Sequence, residues 1–188
     1  MKAITKKEYS YPKEVTKLWK DETFQPLHDL KLSIKLDDGN IIECAAFKII
    51  MNKRLEEHAC ISTQAGCKFG CKFCTSGKNG FIRNLSKREM NEELRILAKE
   101  KRVMKFDCIV FMGIGEPLDN YDEVISCIKN LIKKKDLYNR RRRRALSTIG
   151  IPSMLRRLSK EKLPIDLWLS LHAPDDEKRG KIMPAGRR

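Results

Sequence analysis

Apolar positions follow two successive patterns along the chain. Leu30, Leu32, Ile34 and Leu36 alternate with polar residues, the period of a half-buried strand. Asp37-Asp38-Gly39-Asn40 supplies turn chemistry, and residues 41–50 return as a second strand, so a β-hairpin is predicted. Upstream, residues 1–29 are weakly patterned, with a short helix expected over 11–19 from Val15, Leu18 and Trp19. Residues 53–58 read as a charged loop.

From residue 58 the pattern becomes strand, loop, helix, repeated. Residues 58–63 form a short strand that delivers a cysteine-rich loop, and Ser86 with Glu89 gives the capping-box signature of a helix whose buried stripe is Met90, Leu94 and Leu97. Residues 106–112 are continuously apolar, as in a strand buried on both faces of a parallel sheet. A loop over 113–120 leads to a helix with Val124, Ile125, Ile128, Leu131 and Ile132 on one face. Residues 145–148 are the third strand, Pro152 suits the first turn of a third helix, residues 165–171 are the fourth strand, and Pro174 starts another helix. Four such units predict an α/β fold with a parallel sheet and right-handed crossovers. An open doubly wound sheet and a partial (β/α) barrel look alike at this level. The organisation expected is an amino-terminal region with the hairpin, 1–52, and a core over 53–188.

Length and charge narrow the reading. The chain has 188 residues, enough for one domain with a core but short of the roughly 250 of a complete eight-unit barrel. Forty Lys plus Arg against twenty-five Asp plus Glu give a net charge of +15, which favours a polyanionic partner such as nucleic acid. Arg140 to Arg144, preceded by Lys129, Lys133, Lys134 and Lys135, form a basic block that reads as a phosphate-backbone contact. No apolar run is long enough to span a bilayer and no signal segment opens the chain, so seven cysteines point to a reducing, cytoplasmic compartment.

The candidate chemistry centres on Cys67, Cys71 and Cys74, three thiols in a glycine-interrupted loop. Soft thiolates select zinc or an iron-sulfur cluster. A 4Fe-4S cluster ordinarily takes four thiolates, so three leave one iron open to a substrate or cofactor. Zinc with a ligand from elsewhere remains an alternative, although no second paired half accompanies the loop. A secreted disulfide loop is disfavoured by the odd cysteine count.

The spacing C-x-x-x-C-x-x-C, with Phe73 before the last cysteine, resembles the cluster loop of radical S-adenosylmethionine (SAM) enzymes. The strings Cys60-Ile61-Ser62-Thr63-Gln64-Ala65-Gly66-Cys67, Lys72-Phe73-Cys74-Thr75-Ser76-Gly77 and Gly80-Phe81-Ile82-Arg83-Asn84-Leu85 resemble more narrowly the RlmN/Cfr family, which methylates an adenine of large-subunit ribosomal RNA. The resemblance runs from about Gly39 to the end of the chain. It implies a partial barrel of about six strand-helix units, of which about four are present, so that the chain reads as a fragment lacking the carboxyl-terminal part and its methyl-carrying cysteine.

The same resemblance implies the site. Cys67, Cys71 and Cys74 would hold a 4Fe-4S cluster; Gly115 and Glu116 of Gly113-Ile114-Gly115-Glu116-Pro117 would hold the amino group of SAM; Ser147, Ser170, Leu171 and His172 would complete the SAM site. Alternation along the fourth strand puts Asp166, Trp168, Ser170 and His172 on one face, as for a wet barrel interior. Glu43 matches a proton acceptor acting on the adenine and Cys60 a thiol that resolves a covalent enzyme-RNA intermediate. The partners implied are ribosomal RNA, with transfer RNA as a further substrate, and an electron donor such as flavodoxin or ferredoxin, with no membrane. Of the cysteines left over, Cys108 lies at the start of its strand, Cys127 within a helix, and Cys44 on the side of its strand opposite Glu43, so none is expected to carry the methyl group. The rival reading from another class is a zinc-stabilised, non-catalytic RNA-binding module.

Overall fold

A computed structural model describes residues 1–10, 24–51, 54–133 and 138–184. The helix expected over 11–19 lies outside them. Seven strands form one sheet: β1 (Lys2–Ser10), β2 (Phe24–Lys35), β3 (Ile41–Met51), β4 (Arg54–Cys60), β7 (Phe106–Phe111), β8 (Tyr138–Thr148) and β9 (Asp166–Leu169), in that spatial order. The first four pair antiparallel and the last four, from β4 onward, pair parallel. Helices α1 (Lys87–Lys101), α2 (Tyr121–Lys133) and α3 (Pro152–Lys160) connect the parallel strands, and α4 (Asp176–Ile182) follows β9. Between β4 and α1 a small hairpin, β5 (Gln64–Gly66) with β6 (Phe81–Asn84), brackets the cysteine loop. The α/β architecture with a parallel sheet is as the sequence predicts. Among the described residues no helix is long and apolar enough to cross a membrane.

Local chemistry accounts for the helix boundaries. Ser86 Oγ accepts from the Glu89 backbone N–H while Glu89 Oε2 accepts from the Ser86 N–H at 2.9 Å, the predicted capping box, and Arg102 closes α1 in the left-handed region. Pro152 occupies the first turn of α3, where its missing N–H costs nothing, and Asp175 caps α4 by accepting from the Lys178 N–H. Met90, Leu94 and Leu97 of α1 and Val124, Ile128 and Leu131 of α2 are buried against Leu30, Leu32, Ile34 and Ile42 of the sheet in one core. Among the described residues the opposite sheet face carries a small apolar cluster, Cys108, Val110 and Ala145 with Phe47, Cys60 and Met112 beside it. The site is built on this second face.

Three expectations are corrected, and one strand lies at an edge. Residues 2–10 form a strand that has no apolar alternation because nearly all of it is exposed. The charged stretch read as a loop is strand β4, whose Glu57 pairs with Lys48 of neighbouring β3 and whose Glu56 pairs with Arg143 of β8, one strand beyond β7. Among the described residues β9 lies at the sheet edge with β8 alone beside it, and Leu167, Trp168 and Leu169 are about half exposed. Two members of the arginine block are occupied within the fold, since Arg144 is buried and Arg143 is engaged with Glu56 at 3.0 Å; the side chains of 140–142 lie outside those described.

One buried polar hub ties hairpin, helices and sheet together. Asn120, 3% exposed, donates from Nδ2 to the carbonyls of Thr63 and Leu85, both at 2.7 Å. Leu85 N–H in turn donates to Thr63 O at 3.0 Å. Substituting Asn120→Ala leaves Leu85 O without this donor in a buried setting. It should cost about 2 kcal/mol and lower the melting temperature by roughly 4–8 °C for a chain of this size, as measured by circular dichroism. A melting temperature within a degree of the parent would show that the hub does not hold the hairpin.

Candidate active site

The cysteine loop is closed by backbone geometry. Gly66 has φ +76°, and a Cβ there would lie 2.0 Å from Gly80 O, the acceptor of the Cys67 N–H at 3.0 Å. Only glycine allows that neck. Inside it, the Cys74 N–H donates to Cys71 O and the Lys72 N–H donates to Ile182 O, which ties the loop to the end of α4. Cys67, Cys71 and Cys74 are partly exposed free thiols. Burial raises the pKa of Cys67 and Cys71, and the neighbouring sulfurs, Cys74 for both, raise it further. An adjacent iron charge would reverse this and hold them as thiolates.

Three soft donors on one glycine-closed, partly exposed loop fit a multi-iron cluster, which takes one thiolate per iron. Among the described residues no group of three His, Cys, Asp or Glu is gathered as one metal ion requires.

The loop 113–116 leans on the strand that precedes the cysteines. Thr63 and Gln64 N–H groups both donate to Ile114 O, Ile114 N–H donates to Ser62 Oγ, and Glu116 N–H donates to Gln64 Oε1. A Cβ on Gly115 would lie 2.5 Å from the Gln64 side chain and one on Gly113 would lie 2.7 Å from the Ile61 and Ser62 backbone. Both glycines are thus required by packing, whatever they bind. Glu116 is 3% exposed and its carboxylate accepts from Leu118 N–H, Thr148 Oγ–H and Ile149 N–H. Burial raises its pKa while these three donors pull it back. The carboxylate thereby joins the ends of β7 and β8.

Ser147 and Ser170 hydroxyls lie 3.2 Å apart at the ends of β8 and β9. His172 adopts φ +56°, and its ring packs on Phe73 with centroids 4.6 Å apart, so the last segment meets the cysteine loop directly. Leu171 is exposed, and its carbonyl accepts from Arg179 Nε. Arg179, on α4, also donates to Ile149 O at 2.6 Å and to Ser170 O at 3.3 Å, clamping the carboxyl ends of β8 and β9. Sequence reasoning did not single out Arg179, Gln64 or Asn120. Gln64 stands in the quoted Cys60–Cys67 string, whereas nothing local distinguishes Arg179 from other surface arginines.

Glu43 and Cys60 share the sheet face that carries no helix among the described residues, the helix-free face. Register puts Cys60 opposite Ala45, two residues from Glu43 on β3. Glu43 is about half exposed, with Oε2 2.9 Å from Lys31 Nζ, and its carbonyl accepts from Ser62 Oγ. Burial pushes the Cys60 thiol up to about 12. Of the remaining cysteines, Cys44 faces the helix-covered core, Cys127 is buried in α2, and Cys108 is buried two residues from the level of Cys60. None of the three presents a thiol to solvent.

Comparison with known proteins follows the same lines. Residues 61–188 match the radical SAM superfamily. Among curated relatives, the chain is 44% identical over 158 residues to the probable dual-specificity RNA methyltransferase RlmN of Pseudothermotoga lettingae, covering 84% of this chain and 45% of that protein. It is 38% identical over 174 residues to the dual-specificity RNA methyltransferase RlmN of Campylobacter hominis, covering 84% and 47%. The chain thus spans less than half the length of these relatives. Among solved structures, a radical SAM methyltransferase from Sphaerobacter thermophilus superposes with a TM-score of 0.74 at 29% identity, over 95% of this chain and 55% of that one.

Glu93 of α1 is a buried support of this site. It is 0% exposed, its Oε2 accepts from the Ser62 N–H at 3.0 Å, and burial raises its pKa well above the ordinary carboxylate value. A folded-state pKa above the unfolded one means that the native protein holds a proton the unfolded chain has lost. Stability is then lost as pH rises from near 4.5 toward the folded pKa, by up to about 1.4 kcal/mol per pH unit. Glu93→Gln removes this dependence. Melting temperatures from pH 5 to 8 should show the parent falling relative to the variant as pH rises, and parallel curves would refute a proton held at Glu93.

Proposed function

The chain belongs to the radical SAM superfamily, and from that premise we propose that it is the cofactor-binding part of an RNA methyltransferase of the RlmN/Cfr type, whose methyl-carrying cysteine is none of Cys44, Cys108 and Cys127. Its substrate is an adenine of large-subunit ribosomal RNA, modified at carbon 2 rather than carbon 8, with transfer RNA as a second substrate. The setting is the cytoplasm, with flavodoxin or ferredoxin as electron donor. The observation that carries this reading is convergence: the thiol loop, the Glu116 loop and the Ser147–Ser170 pair meet at one end of the sheet, while Glu43 and Cys60 lie on its helix-free face. In parallel α/β folds that end is where chemistry is placed.

Cys67, Cys71 and Cys74 hold the 4Fe-4S cluster and leave one position for SAM. When bound, cluster and SAM supply the one-electron radical chemistry, and the protein supplies binding and orientation. Gly115 and Glu116 receive the SAM amino group: Glu116 has accepted three donors, and its two oxygens retain capacity for a charge-assisted fourth. Ser147, Ser170, Leu171 and His172 line the remainder, with His172 held against the loop by Phe73. Glu43, exposed and paired with Lys31, accepts a proton from the adenine. Cys60, with its pKa near 12, enters as a thiol and loses its proton only as it reacts.

The test is anaerobic reconstitution of the chain with iron and sulfide. The parent should become brown and contain both elements. Each of Cys67→Ala, Cys71→Ala and Cys74→Ala should lose the cluster, because each thiol holds a separate iron. Full iron and sulfide content in any one variant would overturn the assignment, and a colourless parent that instead retains zinc would favour the non-catalytic RNA-binding module.

A further inference from the structure

The face that carries Glu43 and Cys60 does not end at β3. Register places Ser33 of β2 opposite Glu43 and Lys31 opposite Ala45; β1 then sets Lys2 opposite Lys35, Thr5 opposite Ser33 and Lys7 opposite Lys31. Two contacts confirm that these side chains share one side: Thr5 Oγ donates to Ser33 Oγ at 2.8 Å, and Lys31 Nζ lies 2.9 Å from Glu43 Oε2. On the other side, Leu30, Leu32 and Ile34 are buried in the core with α1, and Lys6 pairs with Glu8 and Glu100. Charges on the helix side are therefore balanced. On the helix-free side, Lys2, Lys7 and Lys35 make no ion pair among the described residues, and all three are exposed.

This arrangement costs stability as it stands. Lys2 faces Lys35 directly across a strand pair and Lys7 faces Lys31, and like charges in that relation repel. The two pairs are four residues apart on β2, roughly 13 Å at about 3.4 Å per residue. Tyr9, 49% exposed, stands two residues beyond Lys7 on the same face. Regularly placed cations with an adjacent aromatic ring match the chemistry of a single-stranded nucleic acid, whose phosphates neutralise the former and whose bases stack on the latter.

We propose that the helix-free face of β1 and β2 is an RNA platform: phosphates lie on Lys2, Lys7 and Lys35, Tyr9 offers a stacking surface, and Lys31 marks where the platform meets Glu43. The inference rests on the RNA methyltransferase reading and adds to it the surface along which the substrate reaches the site. Charge complementarity selects RNA over an apolar or basic partner.

The experiment measures binding of the 188-residue chain to a labelled single-stranded RNA oligonucleotide across a salt series. Each phosphate contact contributes about 0.7 to the slope of log affinity against log salt. The triple variant Lys2→Gln, Lys7→Gln, Lys35→Gln should therefore lower the slope by about two. The corresponding Lys→Arg triple should keep the parent slope, and so should a control triple of exposed helix residues, Lys99→Gln, Arg156→Gln, Lys160→Gln. Removal of both like-charge pairs should leave the melting temperature unchanged or higher. If the Gln triple nevertheless fails to fold, Lys2→Gln with Lys35→Gln carries the test, with an expected loss of about 1.4. RNA binding with an unchanged slope would overturn the platform and leave the methyltransferase reading intact. Equal losses in platform and control variants would also overturn it, since charge anywhere would then suffice. Absence of RNA binding by the parent would overturn both.

Discussion

The structure depends on the hydrogen bonds made by Ser62, Thr63 and Gln64, all buried where β4 gives way to the thiol loop. Their polar groups find partners on several elements: Glu93 on α1, Glu43 on β3, Ile114 and Glu116 after β7, Asn84 on β6, Asp119 and Asn120 before α2. In a low-dielectric interior such a network is costly when half made and rigid when complete. Three residues thereby fix the position of the thiol loop relative to the Glu116 loop. The glycines at 113 and 115 follow from the same constraint, because the two segments approach too closely for any Cβ.

Rigidity on one face of the sheet frees the other for chemistry. Helices α1 and α2 bury their apolar stripes on one side, and the opposite side keeps a small apolar cluster among groups with polar or reactive side chains. Glu43, Cys60 and Ser147 stand there because strand alternation gives them the parity opposite to Cys44, Ala59 and Leu146, which lie in the core. Arg179 and the Phe73–His172 contact bring the end of β9 to the thiol loop, so residues more than a hundred positions apart in sequence line one site.

Electrostatics differs from what net charge alone suggests. Several cations are structural: Arg83 is held by Glu89 and Asp38, Arg143 by Glu56, Arg157 by Asp122 and the ring of Tyr121. The densest run in sequence, residues 140–144, ends inside a strand, whereas scattered lysines of β1 and β2 assemble into a contiguous face. Linear charge density is therefore a poor guide to the surface that a polyanion would meet.

Elements with one buried face and local end signals could be read from the residues. The capping box at Ser86, the stripe of α1, the apolar run of β7, the hairpin turn at Asp37–Asn40 and the proline of α3 each act through neighbours within a few positions. The thiol triplet was legible for the same reason, since its spacing is local. Strand β1, with nearly every residue exposed, has no periodicity to read, and β4 disguises itself because its charges are neutralised by β3 and β8, partners remote in sequence. Folding determined that Arg144 is buried, that Arg179 clamps two strand ends and that four lysines share a face with Glu43. Each of these depends on pairing register and on contacts between distant segments, which residue type and spacing along the chain do not encode locally.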